Sequence, residues 1–373
     1  MSKSNWSFLH MSFVKRPAAG RAAAFTLASL IMCTGPARAQ VLIKVNDDVN
    51  FKLGVLGQFQ ADWLEDPAND DTTQNLFIRR VRLLFGGQVA KNVTFFIETD
   101  APNLGKTLPG GKNISPSIVV QDAYGEFKVN NAFALDVGLM FVPFSRNSVQ
   151  SAASLLPIDY GAYTFSTSAP TQSTVGRDTG VQAKGYVLKN RLEYRLGAFQ
   201  GARDANSHRA FRYTGRVQYQ LLEPEAMGFF YTGTYLGTRK VAAVAAAFDT
   251  QNDYHALDAD AFVDYPVGPG AITGQLAWNR IDGGDTFLAL PKQNVVLVEL
   301  GYFIRRLKIS PVLQFTNRGL VDTSVGDEKR WSLGLNYWWA GHNANIKAAY
   351  ARIDPNLRAT QNEFTVQLQL FYF

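Results

Sequence analysis

Short stretches along this chain alternate apolar and polar residues with a period of two. From 211 to 221 the odd positions read Phe211, Tyr213, Gly215, Val217, Tyr219 and Leu221, and the even positions Arg212, Thr214, Arg216, Gln218 and Gln220. Side chains of a strand point to alternate faces, so this segment has one greasy face and one charged face. The same reading predicts about sixteen strands, near 49–63, 75–87, 92–101, 117–129, 133–142, 177–188, 191–200, 209–222, 228–238, 254–265, 271–282, 293–305, 307–318, 329–340, 343–353 and 362–373. In the first, Val49, Phe51, Leu53, Val55, Phe59, Ala61 and Trp63 share one face, and Asn50, Lys52, Gln58, Gln60 and Asp62 the other. Residues 239–253, with an alanine-rich run from Val241 to Phe248, read as a loop holding a short helix and stand outside the strand count.

The connections alternate as well. Short turns are expected at 130–132, 188–190, 266–269, 305–307 and 341–342. Long loops are expected at 64–74, 101–116, 143–176, 201–208, 239–253, 283–292, 319–328 and 354–361. Short turns at one mouth and long loops at the other mark an outer-membrane barrel. An even strand count puts both ends of the array on the turn side. The ring must close, because an open sheet edge in lipid leaves unpaired backbone groups costing several kcal/mol each. The expected fold class is therefore all-β, a transmembrane antiparallel β-barrel.

Residues 1–39 read as an export signal, and 40–373 as the barrel domain. Lys15, Arg16 and Arg21 form a positive segment, Ala22 to Cys33 is an apolar run too short to span a bilayer, and Ala37-Arg38-Ala39 fits a cleavage site. Met11 is an alternative start; an acylated Cys33 is the rival reading, disfavoured by the bulky Met32 before it. The first 39 residues hold five of the 37 basic residues and none of the 31 acidic ones, so the remainder carries 32 against 31 and is nearly neutral. Net charge therefore gives no argument for a nucleic-acid partner. The only cysteine, Cys33, leaves with the signal, so no disulfide framework is expected. No apolar run beyond the signal reaches about eighteen residues, so no transmembrane helix is expected. Hydrophobic residues nevertheless make up 46% and aromatics 13%, diluted one-to-one by polar positions, as suits lipid-facing strands.

Aromatics gather near the strand ends: Trp63, Phe77, Tyr160, Tyr163, Trp278, Trp331, Tyr337, Trp338 and Trp339. They are expected to form interfacial girdles. The last strand resembles the terminal assembly signal of outer-membrane proteins. Val366, Leu368, Leu370 and Tyr372 share a parity that Phe373 breaks, so a bulge or a frayed end is expected there.

Parity places Arg80, Arg82, Lys128, Lys184, Arg195, Arg212, Arg216 and Lys347 on the wet face, as candidate channel-lining residues. Guanidinium groups suit anions because they stay charged and present a planar donor fork. Parity also puts Glu98, Asp100, Asp122, Glu126, Asp136, Glu193, Asp258, Asp260, Asp264 and Glu299 inside, so a simply paired and solvated wall is the competing reading. Asp258, Asp260 and Asp264 share a strand face, but a flat strand supplies too few oxygens for calcium, and no metal site is expected. His208, His255 and His342 lack metal-ligand spacing. There is no nucleophile elbow, zinc-binding His-Glu-x-x-His or phosphate loop, so no catalytic residues and no cofactor are expected.

Several segments resemble the phosphate-selective porin O and P family: Asp122-Ala123-Tyr124; Gly138-Leu139-Met140-Phe141-Val142-Pro143-Phe144; Gly176 to Gln182 followed by Leu192 to Gly201; and Gly334 to Asn343. The resemblance runs through most of residues 49–373. It implies a homotrimeric, water-filled outer-membrane channel of sixteen strands whose long third loop folds inward. Here that loop is 143–176, with Arg146, Asp159 and Tyr160 as candidate constriction residues. A basic residue usual before Val-Pro-Phe is absent, with Leu139, Met140 and Phe141 in its place, so phosphate specificity is not carried over. The expected function is passive diffusion of small hydrophilic, anion-leaning solutes across the outer membrane of a Gram-negative bacterium, with bilayer lipid as partner. The alternatives are a barrel enzyme and an adhesin with a closed lumen. An energised receptor is not expected, since only Gln40 to Asp48 precede the first strand.

Overall fold

The computed structural model describes residues 41–108, 110–225, 228–321 and 326–373. The expected export signal lies outside the described residues. The elements are β1 (Val41–Lys44), β2 (Asn50–Asp66), β3 (Asp71–Ala90), β4 (Val93–Asp100), β5 (Thr107–Leu108), β6 (Gly111–Lys112), β7 (Val119–Asn130), β8 (Phe133–Phe141), α1 (Arg146–Val149), β9 (Arg177–Val187), β10 (Leu192–Phe199), β11 (Arg212–Gln220), β12 (Val241–Gln251), β13 (Tyr254–Val267), β14 (Gly270–Asp282), β15 (Gln293–Ile304), β16 (Ile309–Leu320), β17 (Glu328–Tyr337), β18 (Ala344–Pro355) and β19 (Gln361–Tyr372).

Sixteen of these strands, β2 to β4 and β7 to β19, pair antiparallel with their neighbours, and β19 pairs back onto β2 from Glu363↔Leu64 to Tyr372↔Val55. The barrel is closed, each wall strand pairing with a neighbour on either side. β1 pairs with β2 from Val41↔Leu53 to Lys44↔Asn50, continuing the same edge past the end of β19. β5 and β6 form a small hairpin within loop 101–118.

The wall inverts the burial of a soluble protein. Leu53, Val55, Phe59 and Trp63 of β2 are exposed outward, while Gln58, Gln60 and Asp62 are buried in the lumen. Apolar side chains that would precipitate a soluble sheet are stable here because hydrocarbon is their solvent.

One strand differs from expectation. Residues 228–238 alternate but are not a wall strand; the ninth barrel strand is β12, the alanine-rich segment read as loop and helix. Ala243, Ala245 and Ala247 of β12 face the lumen opposite Gln220, Gln218 and Arg216 of β11. Those long side chains fill the space, so the strand needs no bulk and shows no alternation. In consequence β12 and β13 are joined by the two-residue turn 252–253 at the loop end, and the 20-residue connection 221–240 lies at the turn end.

Two further expectations are corrected. Trp63, Trp278, Trp331, Tyr337 and Trp339 are exposed on the outer face, but Phe77 and Trp338 are buried, and Tyr160 and Tyr163 belong to the third loop. Trp338 turns inward because its indole N–H donates to Ser310 Oγ at 2.9 Å. Phe373 requires no bulge: it shares the inward parity of Phe371 and packs in the lumen, its ring centroid 5.6 Å from that of Phe96.

Candidate permeation site

The third loop, 142–176, folds into the barrel. Its base is tied by Val142 N–H donating to Gly176 O at 2.9 Å. Ser145 then caps α1, its side chain accepting from Ser148 N–H. Beyond α1 the chain makes one parallel bridge, Gln150 to Tyr231, and then runs along the wall, where polar side chains take up its carbonyls. Gln58 donates to Ala152 O at 3.3 Å, Gln369 to Ala153 O at 2.8 Å and Asn336 to Leu156 O at 2.7 Å. Lys347 Nζ donates to Leu155 O at 2.6 Å and Pro157 O at 2.8 Å.

A second segment enters from the opposite mouth. The connection 221–240 carries Tyr231 against the loop: Tyr231 N–H donates to Val149 O at 3.1 Å, and Ser151 N–H to Tyr231 O at 3.0 Å. Arg146 locks the two together with a bidentate pair, Nη1 to Glu225 Oε2 at 2.8 Å and Nη2 to Oε1 at 2.7 Å, both side chains fully buried. Asp264 anchors the returning limb, accepting from Thr234 Oγ1 at 3.1 Å, Tyr235 N–H at 2.8 Å and Thr273 Oγ1 at 2.8 Å.

The eight candidate channel-lining cations all belong to the inner face. Six of them face carboxylates. Arg80 reaches Asp159 at 2.7 Å, and Arg82 reaches Glu98 at 2.7 Å and Asp100 at 2.9 Å. Lys184 pairs with Glu126 at 2.5 Å and Asp136 at 3.0 Å, and Arg195 with Glu193 at 2.5 Å. Arg212 holds Asp249 at 2.5 Å, and Arg216 holds Asp260 at 2.6 Å. Lys347 serves the third loop, and Lys128 is exposed beside a cavity at the turn end. Lys184, Arg195 and Arg216 are direct partners across three adjacent strands, forming one cationic row with an acid beside each member.

Of the constriction candidates, Arg146 is spent on Glu225. Asp159 bridges Arg80 and Arg79, the latter at 2.9 Å. Tyr160 donates to Gln150 O at 2.7 Å and presents its ring 5.5 Å from the Arg80 guanidinium. Asp159 and Tyr160, but not Arg146, line with the wall a cavity of about 590 Å³ at the loop end. Its lining includes the basic side chains Arg79, Arg80, Lys106 and Arg330 and the acidic Asp159 and Glu363. Lys106 is paired with Asp62 at 3.1 Å and Arg330 with Glu328 at 2.5 Å, whereas Arg79 and Arg80 share Asp159.

Sequence reasoning missed Arg79, Glu225 and Tyr231. Arg79 has the outward parity, but the register shifts between Gln58 (opposite Arg80) and Phe59 (opposite Ile78), so β3 carries one extra residue there. Such a bulge re-aims a side chain, and two consecutive arginines serve the lumen. Tyr231 is hidden by the expected strand 228–238, and Glu225 by its place in the connection before it. Tyr231 is the hub of the row: Arg146, Arg195 and Arg216 lie 4.9, 5.1 and 5.4 Å from its ring centroid.

Several loop groups are shifted. Burial works against the Asp159 carboxylate, but Arg79 and Arg80 outweigh it and hold the group below the usual carboxylate range. Burial likewise opposes ionised Glu225, and Arg146 overrides it. Burial pushes His342 down to about 4, and the charge of Lys347 acts in the same direction. Its Nε2 lies 2.9 Å from Thr234 O, so the neutral ring ties the turn at 341–342 to the inward connection. An unfolded histidine takes its proton near pH 6.5. Between 6.5 and about 4 the unfolded state therefore binds more protons. His342's contribution is complete above pH 6.5 and falls as pH drops toward 4, by ~3 kcal/mol at 1.36 kcal/mol per unit. His342→Gln is expected to flatten this acid limb in urea midpoints taken from pH 7 to 4; an unchanged difference between the two pH values would refute the assignment.

A closed sixteen-stranded barrel narrowed by an inward third loop over a charged lumen is an outer-membrane porin, and this chain is one, a passive channel of the Gram-negative outer membrane. The family model for phosphate-selective porin O and P matches residues 51–258, and the chain belongs to that family. No match is found among curated protein sequences. The fold is similar to that of Salmonella typhi OmpF in complex with daunomycin (14% identity, TM-score 0.59, covering 89% of this chain and 100% of that one). It is also similar to the anion-selective porin from Comamonas acidovorans (11% identity, TM-score 0.54, covering 87% and 100%). A third similar structure is the trimer form of OmpT from Vibrio cholerae (11% identity, TM-score 0.53, covering 87% and 100%).

Proposed function

We propose that the chain is exported by its first 39 residues, assembles as a homotrimer with its long loops outward, and passes small hydrophilic solutes with a preference for anions. The observation that carries the preference is the Arg79–Arg80 pair in the loop-end cavity. Arg79 and Arg80 there share a single carboxylate, Asp159. The other lining cations, Lys106 and Arg330, are paired with Asp62 at 3.1 Å and Glu328 at 2.5 Å, and the cations deeper in the lumen are likewise matched by acids, so the Arg79–Arg80 pair is the excess where a solute enters. Charge of one sign at an entrance raises the local concentration of the opposite ion. The similarity to an anion-selective porin agrees with this reading. The trimer is supported by the similarity to a trimeric neighbour and by the outward aromatic cluster of Phe51, Phe85 and Phe95, with centroids 4.9 to 6.1 Å apart. The cavity is far larger than one phosphate ion, so organic anions are included in the solute class.

Purified protein in a planar bilayer tests this. In a salt gradient the reversal potential is expected to take the anion-selective sign, and cation selectivity or none would overturn it. Absence of any conductance would instead favour the adhesin or barrel-enzyme alternatives.

A further inference from the structure

The lumen wall breaks its own polar rule at one level. Five neighbouring strands each turn an apolar side chain inward there: Phe371 of β19, Leu56 of β2, Leu84 of β3, Phe96 of β4 and Tyr124 of β7. Phe371 is the direct partner of Leu56, and Phe96 of Tyr124. Towards the loop end the next inward residues are polar on all five strands, Gln369, Gln58, Arg82, Glu98 and Asp122, while towards the turn end they are Phe373, Gly54, Gly86, Thr94 and Glu126. On β2 the order is Lys52, Gly54, Leu56, Gln58; on β4 it is Thr94, Phe96, Glu98; on β7 it is Glu126, Tyr124, Asp122. The inserted segments complete the layer. Phe229 of the inward connection lies 5.2 Å from the Phe96 ring and 5.0 Å from the Tyr124 ring, and Phe230 lies 5.3 Å from Phe96. Phe373 closes the near side, seated over Gly54 and Gly86, where an added Cβ would come within 2.6 and 3.1 Å of its ring.

This layer separates two cavities. The loop-end cavity is lined by Gln60, Arg80 and Tyr160. A turn-end cavity of about 300 Å³ is lined by Lys52, Gly86, Thr94, Phe229 and Phe373. Following β2 from one to the other passes Leu56, and following β3 from Arg80 to Gly86 passes Leu84.

We propose that this aromatic layer, completed by Phe229, is a second constriction of the channel that works by excluding water rather than by charge. A hydrated inorganic ion crossing it must shed solvent against the rings, with Lys184 Nζ 5.8 Å from the Phe229 ring at the edge of the layer, whereas an organic solute with an apolar or ring face can cross against the rings. Apolar constrictions resist wetting in this way, and an unpaired charge in an apolar setting is costly. The inference rests on the porin reading above.

Two variants of the full chain, compared with the parent in potassium chloride, test it. Phe229→Ala removes the ring, and Phe229→Tyr keeps the ring but adds a hydroxyl that wets the layer. Each is expected to raise single-channel conductance about twofold or more while leaving the anion-to-cation ratio unchanged, because no charge moves. The tyrosine variant preserves packing and decides the matter alone if the alanine variant does not fold. Parental conductance in the folded variants would overturn the proposal. Silence in parent and variants alike would overturn the porin reading instead.

Discussion

Replacing Glu225 by alanine is expected to free the two inserted segments from each other and turn a quiet channel into a fluctuating one. The Arg146 guanidinium makes two short bonds to that carboxylate, and both side chains are fully buried. The ring of Phe262 lies 3.6 Å from the guanidinium carbon and offers no hydrogen-bond acceptor in the ring plane. Without Glu225, Arg146 keeps Thr232 O at 3.1 Å and a weak 3.5 Å contact to Gln218. Removing one member of a buried pair costs about 3–5 kcal/mol, because the other is left uncompensated. Since 1.4 kcal/mol is tenfold, the separated state should become about a hundredfold more populated, or more. Single-channel records are expected to gain a second, higher level in Glu225→Ala, with Glu225→Gln between variant and parent. A record as steady as the parent's, at the parent's level, would refute this role for the pair.

Asp159→Asn is expected to strengthen anion preference. The aspartate is the shared counter-ion of Arg79 and Arg80 in the loop-end cavity. Loop position does not depend on its charge alone, because Gln314 holds the Asp159 carbonyl at 3.1 Å and Lys347 holds Pro157 O. Arg80 also keeps Gln58 at 2.7 Å. The substitution therefore leaves both guanidiniums in place and removes their neutraliser. One unit charge at contact distance in water is worth about 1 kcal/mol, which corresponds to about a fivefold change in anion-to-cation permeability. The reversal potential in a salt gradient should move further toward the anion limit. A move toward cations, or none, would show that the cavity does not set selectivity.

Strand number and wall polarity were legible in the sequence because each wall residue answers to only one of two solvents, hydrocarbon or water. That rule identifies Gln58, Gln60 and Asp62 as inward without any knowledge of neighbours. It fails where a third environment exists. Residues 228–238 alternate like a wall strand, yet Phe229 and Tyr231 meet other lumen side chains instead of lipid. The alanines of β12 look featureless because their volume is supplied by β11. The same alanines decide partners: Ala247 stands between Arg216 and Asp258 in the row, so the arginine reaches across it to Asp258 at 3.4 Å and Asp260 at 2.6 Å. Parity gave both charges the correct side, but only register joins them. Arg79 was beyond reach for the same reason, since a bulge is set by pairing and leaves no mark on the alternation of one strand.

The third loop precedes in sequence most of the groups that hold it. Ala153 waits for Gln369, 216 positions later, and Leu155 waits for Lys347, 192 positions later. Of the wall groups that hold the loop carbonyls, only Gln58 is made before the loop. Gln369 and Gln58, which hold Ala153 O and Ala152 O, are direct partners across the seam between β19 and β2, so the contact that shuts the ring also seats the insert.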